Sequence, residues 1–385
     1  MTPKENLLRA IRRDRPEWVP NGMEAVVTLG PPVVERPGQA GLDAFGVEWS
    51  FEPGAEGGTF PTHGRQPISD LRRWREQITL PDVDAMDWAP VEARAREIDR
   101  EQCLVQGFVE MGLFERSYLL LGMEQALMAY LEETEEMEAL LAALADYKIA
   151  LIARFHEAAR LDLVWLGDDW GTQRALFLPP DVWRGTLKPQ TKRIYDWMKA
   201  RGLLINQHSC GKIEAIFGDL VEMGADLWNP CQPCNDLARL KREFGDRISF
   251  FGGIDSQFVL GRPGVTTEEV RAEVRRRIHE MAAGGGYIAT PSHGVPYAPD
   301  IVAAMNDEIA TFGHAFYQQP AWKAQRGRTG GGNPSWKKCF LPQTLFFPRT
   351  FTLGCGIRPR WLRWCARRLR VGSAAASGAE CRSPS

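Results

Sequence analysis

The sequence predicts a parallel α/β barrel, and three observations carry that prediction. From residue 161 onward, short runs that are apolar throughout alternate with helical patterns. A strand that is apolar on both faces belongs to a parallel sheet covered on both sides, and the intervening helices supply the cover. These runs also end alike, in polar or glycine residues: Asp168 and Asp169, His208 and Cys210, Asn229 and Cys231, Gly252, Gly253 and Asp255, Ser292 and His293. In a (β/α)8 TIM barrel the C-terminal strand ends form one catalytic mouth, so segments distant in sequence converge there. A doubly wound sheet is the rival, but no glycine-rich dinucleotide fingerprint follows any of the runs.

Along the chain, MTPKENLLRAIRRDRPEWVP is a charged amphipathic segment without the pattern of a signal peptide. Stretches such as GLDAFGVEWSFEPGAEGG carry turn residues instead of a helical period. Residues 1–100 therefore read as an irregular N-terminal region, a helix and loops, packing on the barrel. CLVQG gives the first strand. Helices follow over 122–133 and 134–159, the second with Leu140, Leu141, Leu144, Tyr147, Leu151 and Phe155 on one face. Then come LDLVWLGDDWG and a helix over 180–201, LLINQHSCG and 213–223, ADLWNPCQP and 237–244. RISFFGGIDS with 267–283, and GYIATPSHG with 299–316, complete the rhythm. The barrel core spans 101–320 and forms one domain with 1–100.

Composition excludes several classes of function. The chain of 385 residues has a net charge of −2, which hides an asymmetry. Residues 1–325 hold 35 basic and 48 acidic residues, whereas residues 326–385 hold 12 basic residues and one acid, Glu380. An acidic body argues against nucleic acid as partner, because phosphate contacts need surface Lys and Arg. No run of eighteen apolar residues predicts a membrane span. The 8 cysteines are too sparse and irregular for a disulfide scaffold, which points to a reducing, cytoplasmic setting. Residues 321–385 read as a basic, disordered tail without steady helical or strand period. Binding to an acidic surface, a short amphipathic helix, and coding sequence read past its natural end in another frame stay open for it.

Chemistry concentrates at the strand ends. On a strand, residues two apart share a face, so His208 and Cys210 project together. A catalytic zinc takes three protein ligands and keeps one position open. His293 is the first choice for the third ligand, with Cys231 and Cys234 as rivals. The Cys231–Cys234 spacing also fits a redox pair, but such a pair normally opens a helix, and the helical pattern begins only at Leu237. Asp168 and Asp169 could bind a substrate, orient a histidine, or act as acid and base. Gly253 would let a ligand approach the backbone.

The segments GDDWGTQ, QHSCGKI, WNPCQP, LKREFGDRISFFGGIDSQ and GGGYIATPSHGVP, in this order, resemble the uroporphyrinogen decarboxylase superfamily, most closely its cobalamin-dependent methyltransferase branch. TPKENLLRAIRRDRPEWVP and DAFGVEW fit as well, so the likeness covers about residues 2 to 317. It implies a barrel of the uroporphyrinogen decarboxylase type. True decarboxylases of the family carry an arginine-rich N-terminal motif for the substrate carboxylates; PEWVPNGMEAVV has no arginine. The methyltransferase branch binds zinc through His-x-Cys and a later Cys in Pro-Gly-Cys-Gly. His208 and Cys210 match the first two, and His293 replaces the last in Pro291-Ser292-His293-Gly294.

The expectation is a zinc-dependent enzyme that moves a methyl group between a corrinoid, carried by a partner protein, and a small thiol, folate or methoxylated substrate. Zinc would sit on His208, Cys210 and His293. Asp168, Asp169 and Asn229 would be catalytic, and Trp170, Gln173, Gly253 and Asp255 would bind substrate, in a cavity lined partly by loops near Phe45 and Trp49. A decarboxylase of a tetrapyrrole or other carboxylate, and a non-catalytic corrinoid or tetrapyrrole binder, are the alternatives.

Overall fold

Seven parallel strands follow one another in chain order around a curled sheet. They come from a computed structural model that describes residues 1–52 and 58–318. The strands are β1 (Val26–Leu29), β2 (Leu104–Val109), β3 (Leu163–Gly167), β4 (Leu204–His208), β5 (Leu227–Asn229), β6 (Ser249–Ile254) and β7 (Tyr287–Pro291). Each neighbouring pair is parallel. The two edges meet through the stretch before β1: Ala289 N donates to Pro20 O at 2.9 Å and Gly22 N to Ala289 O at 2.8 Å. This is an α/β fold of the barrel kind, with seven strands among the described residues where eight were expected.

Helices cover the outside. α1 is Pro3–Arg12, and α2 (Leu113–Leu121), α3 (Met123–Glu132) and α4 (Thr134–Ala159) follow β2. α5 (Pro180–Lys199), α6 (Phe217–Met223), α7 (Leu237–Phe244), α8 (Thr267–Met281) and α9 (Pro299–Tyr317) each follow one of the later strands. The apolar face of α4 is buried as its spacing predicts, with Leu140, Leu144, Leu151 and Phe155 fully enclosed. Truncating one such leucine to alanine costs about 2–5 kcal/mol. A capping box of Thr266 and Glu269 starts α8. No helix among the described residues is long and apolar enough to cross a membrane.

The first hundred residues differ most from expectation. They contribute β1 to the sheet and a three-stranded antiparallel element of Gly41–Leu42, Glu48–Phe51 and Thr59–Pro61. These strands are two to four residues long and bounded by Gly and Pro, too short for a period to register. α2 was also unforeseen. The expected tail over 321–385 lies outside the described residues.

A buried ionic cluster ties this N-terminal region to the barrel. Arg116 on α2 donates to Asp43 at 2.6 Å and to Glu35 at 3.2 Å, and Lys148 on α4 reaches Glu35 at 2.7 Å. Asp43 also accepts the Phe45 and Val47 amides at 2.9 Å and the Trp49 indole at 3.2 Å. Phe45 and Trp49 are consequently core residues, each 3% exposed. Removing one partner of a buried pair strands the other charge, which costs about 3–5 kcal/mol. Asp43→Ala should therefore lower the unfolding free energy by that amount, read from the urea midpoint. A change under about 1 kcal/mol, the scale of an exposed pair, would show that the cluster is not an anchor.

Candidate metal centre

Strand β4 sorts its side chains by parity. Ile205 and Gln207 are buried on the side that faces the helices, where Tyr195 of α5 donates to Gln207 at 2.6 Å. Asn206 and His208 take the other face, inside the barrel. The chain then leaves the strand, and Gly211 turns with φ of +80°. A Cβ at Gly211 would lie 2.1 Å from the Gly171 carbonyl carbon. Only glycine lets the loops after β3 and β4 touch backbone to backbone here, and that contact brings Asp169 beside Cys210.

Three donor atoms converge as a result. His208 Nε2 lies 3.3 Å from Cys210 Sγ and 3.4 Å from Asp169 Oδ1. All three ligand atoms lie within 4.8 Å of one another. Asp169 Oδ1 also accepts the Cys210 amide at 2.7 Å, which fixes the carboxylate against the thiol. Bond lengths of 2.0–2.3 Å in a tetrahedral zinc site put neighbouring donors about 3.4–3.6 Å apart. A thiol, an imidazole nitrogen and a carboxylate at the observed separations fit such an ion. Burial pushes the Cys210 thiol pKa up, and the Asp169 carboxylate pushes it further. A divalent cation reverses that sign, because it favours the thiolate.

The third group placed to hold an ion is thus Asp169, whereas the expected His293 is turned to another partner. The reason is the polarity of Gln232. Gly211 N donates to Gln232 Oε1, so the amide nitrogen of Gln232 faces His293 Nε2, at 2.9 Å. The lone pair of that nitrogen is spent on a hydrogen bond. Cys231 is fully enclosed, with its thiol donating to Trp228 O at 3.1 Å, so it faces the core. Cys234 is near enough for its charge to raise the Cys210 pKa but stands outside the converging three.

The remaining candidates divide between wall and support. Asp168 is buried and accepts the Phe114 and Glu115 amides at 3.1 and 3.0 Å and the Trp170 indole at 2.9 Å. It caps α2, and burial raises its pKa to about 6. Trp170 packs edge-on against Trp183 at 5.1 Å and is 2% exposed. Asp255 accepts the Gln257 and Phe258 amides at 3.0 and 2.8 Å, so it shapes the turn after β6. Gly253 donates to Pro230 O at 3.1 Å, and its backbone meets protein rather than an open cavity. Gln173 is exposed and bridges to Gln257 at 2.8 Å across the mouth. Asn229 accepts from His208 Nδ1 at 2.5 Å.

Residues beyond those singled out complete the mouth. Trp165 stacks on Phe108 at 4.3 Å and against His208 at 4.6 Å, giving a half-buried aromatic wall. Glu110 and Glu115 stand at the end of β2 and the start of α2. Burial raises both carboxyl pKa values; Asp169, Asp168 and Glu110 raise Glu115 further, and Glu35 raises Glu110. The mouth is therefore rich in carboxyls, and Arg36, Lys148 and Arg116 pull Glu110 the other way.

The family described as Uroporphyrinogen decarboxylase (URO-D) matches residues 40–311. The uroporphyrinogen decarboxylase of Methylococcus capsulatus is 27% identical over 297 residues, 72% of this chain and 77% of that protein. The methylcobamide:CoM methyltransferase MtaA of Methanosarcina barkeri is 27% identical over 139 residues, 34% of this chain and 38% of its own length. A methyltransferase structure from Methanosarcina mazei shares the fold, with a TM-score of 0.59 at 15% identity over 81% of this chain and 99% of that one.

The donor geometry separates the ligands from their neighbours. Asp169→Ala, His208→Ala and Cys210→Ala should each weaken zinc binding by more than the roughly 10–100-fold that loss of an outer partner costs. Cys231→Ala and Cys234→Ser should bind as wild type in competition with a chromogenic chelator. Wild-type affinity in Asp169→Ala with loss in Cys234→Ser would move the third ligand to the thiol.

Proposed function

The chain belongs to the uroporphyrinogen decarboxylase family, and within it we propose that this protein is a zinc-dependent methyltransferase acting with a corrinoid carried by a partner protein. The observation that carries the reading is the convergence of Asp169 Oδ1, His208 Nε2 and Cys210 Sγ at the barrel mouth. One thiol, one imidazole and one carboxylate leave a fourth position for a small ligand, the arrangement of a catalytic rather than a structural zinc. Bound there, zinc would supply Lewis acidity that holds an acceptor thiol as its thiolate near neutral pH. The corrinoid would supply the transferable methyl group.

The chain's own groups supply position and shelter. His208 keeps its Nδ1 proton on Asn229 and so offers Nε2 to the site. The Phe108–Trp165–His208 stack forms one apolar side that excludes water. Gln232 fastens the Cys210–Gly211 turn to His293, which makes His293 a support for the loop that carries the thiol. Gln173 and Gln257 tie two mouth loops together.

Decarboxylation is the second reading, and the breadth of the match to the Methylococcus capsulatus enzyme favours it. The lining of the mouth opposes it. Carboxyls at Glu110, Glu115 and Asp169 offer no positive charge to pair with a substrate bearing many carboxylates, whereas they suit a cation at the centre.

Zinc-loaded protein mixed with methylcobalamin and 2-mercaptoethanesulfonate tests the choice through the visible spectrum. Loss of methylcobalamin should depend on the thiol and fall by at least roughly 100-fold in Cys210→Ala, about 2.7 kcal/mol of barrier. A spectrum that stays unchanged with every thiol tried, together with carbon dioxide release from a tetrapyrrole carboxylate, would establish the decarboxylase instead.

A further inference from the structure

A line of side-chain amides crosses the barrel interior and ends on His208. Gln106 Nε2 donates to Thr28 Oγ1 at 3.0 Å, and Asn206 Nδ2 to Gln106 Oε1 at 3.0 Å. Asn229 Nδ2 donates to Asn206 Oδ1 at 2.7 Å, and His208 Nδ1 meets Asn229 Oδ1 at 2.5 Å. The residues stand on β1, β2, β4 and β5, and Gln106, Asn206 and Asn229 are at most 5% exposed. Three buried carboxamides in strands that are otherwise apolar are expensive unless every group is paired.

The polarity of this line is decided at Asn229 by partners whose roles cannot change. The Trp165 indole nitrogen only donates, and it lies 3.2 Å from Asn229 Oδ1. The Gln207 backbone carbonyl only accepts, and it lies 3.3 Å from Asn229 Nδ2. Turning the carboxamide over would set donor against donor and acceptor against acceptor. The atom facing His208 Nδ1 is therefore an oxygen, and Nδ1 must carry the proton. Asn206 and Gln106 repeat the same sense, each donating away from His208, so the line opposes a flip at every link.

We propose that Gln106, Asn206 and Asn229, locked by the Trp165 indole, are positioning residues that hold His208 as its Nδ1–H tautomer. The Nε2 lone pair is thereby kept aimed at Cys210 Sγ and Asp169 Oδ1. The proposal deepens the metal-centre reading and rests on it for its use, but the tautomer is a property of the chain alone. A free neutral imidazole favours its proton on Nε2, which would block the ligand position, so the relay holds the ring in its less favoured form before any ion binds.

The test is the 15N long-range proton correlation spectrum of metal-free, histidine-labelled protein, at a pH where the imidazoles are neutral. His208 is assigned as the signal set lost in His208→Gln. Wild type should show His208 protonated on Nδ1 and bare on Nε2. Asn229→Ala should move most of the proton to Nε2 and weaken zinc binding by roughly 10–100-fold. Asn229→Asp keeps an oxygen toward the ring and should keep the Nδ1–H signal, while its second oxygen, set against the Asn206 and Gln207 acceptors, should lower stability. A wild-type His208 protonated on Nε2 overturns the proposal and needs no variant to be seen. So does an Asn229→Ala protein that folds and keeps Nδ1–H. The expected tautomer in a wild type that binds no zinc would support the relay and overturn the metal-centre reading; zinc binding with the wrong tautomer would do the reverse.

Discussion

Asn229 can present its carboxamide in one sense only, because the Trp165 indole must meet an oxygen and the Gln207 carbonyl must meet an N–H. From that constraint the mouth is built outward. The oxygen holds His208 Nδ1–H, the ring leans on Trp165 at 4.6 Å, and Nε2 is left toward Cys210 and Asp169. The parallel sheet makes this possible. His208 and Asn229 are register partners on adjacent strands, so a short side chain on one reaches the ring on the other. Backbone contact between Gly171 and Gly211 then fixes how far the carboxylate and the thiol stand from that ring.

Electrostatics give the arrangement a direction. Four carboxyls sit at or behind the mouth, and burial raises the pKa of Glu110, Glu115 and Asp168. The thiol of Cys210 is pushed the same way, toward its neutral form. An environment that disfavours several anions at once is stabilised by a cation among them, and the three converging donors mark where one fits. The ionic cluster of Glu35, Asp43, Arg116 and Lys148 is a different case. Its charges are already matched, and it holds the N-terminal region against α2 and α4.

Much of this was legible in the sequence, for reasons of periodicity. Apolar runs alternating with helices gave the barrel class, and the two-residue period singled out His208 and Cys210, although β4 ends at His208 and Cys210 reaches the mouth from the loop that follows. The third donor was not legible. Whether Asp168 or Asp169 faces the mouth depends on a loop conformation, and the amides of α2 take Asp168 for a cap. His293 looked equally suitable until the orientation of Gln232 was known. β1 escaped because four residues, VVTL, are too few to show a period. Asn206 and Gln106 escaped because single amides in apolar strands look incidental. The parity rule could have found Asn206, which stands two residues before His208 on the same face.

One sulfur, one imidazole nitrogen and one carboxylate oxygen of this chain would surround a single zinc ion. X-ray absorption at the zinc edge, on protein loaded with one equivalent of zinc, counts those neighbours directly. One sulfur at about 2.3 Å is expected, with nitrogen and oxygen neighbours at about 2.0–2.2 Å. The sulfur shell should vanish in Cys210→Ala, and the imidazole contribution should fall to none in His208→Ala. Two sulfurs in the wild-type shell would bring Cys234 into the site in place of Asp169. A shell without sulfur would remove Cys210 as a ligand and with it the proposed zinc site.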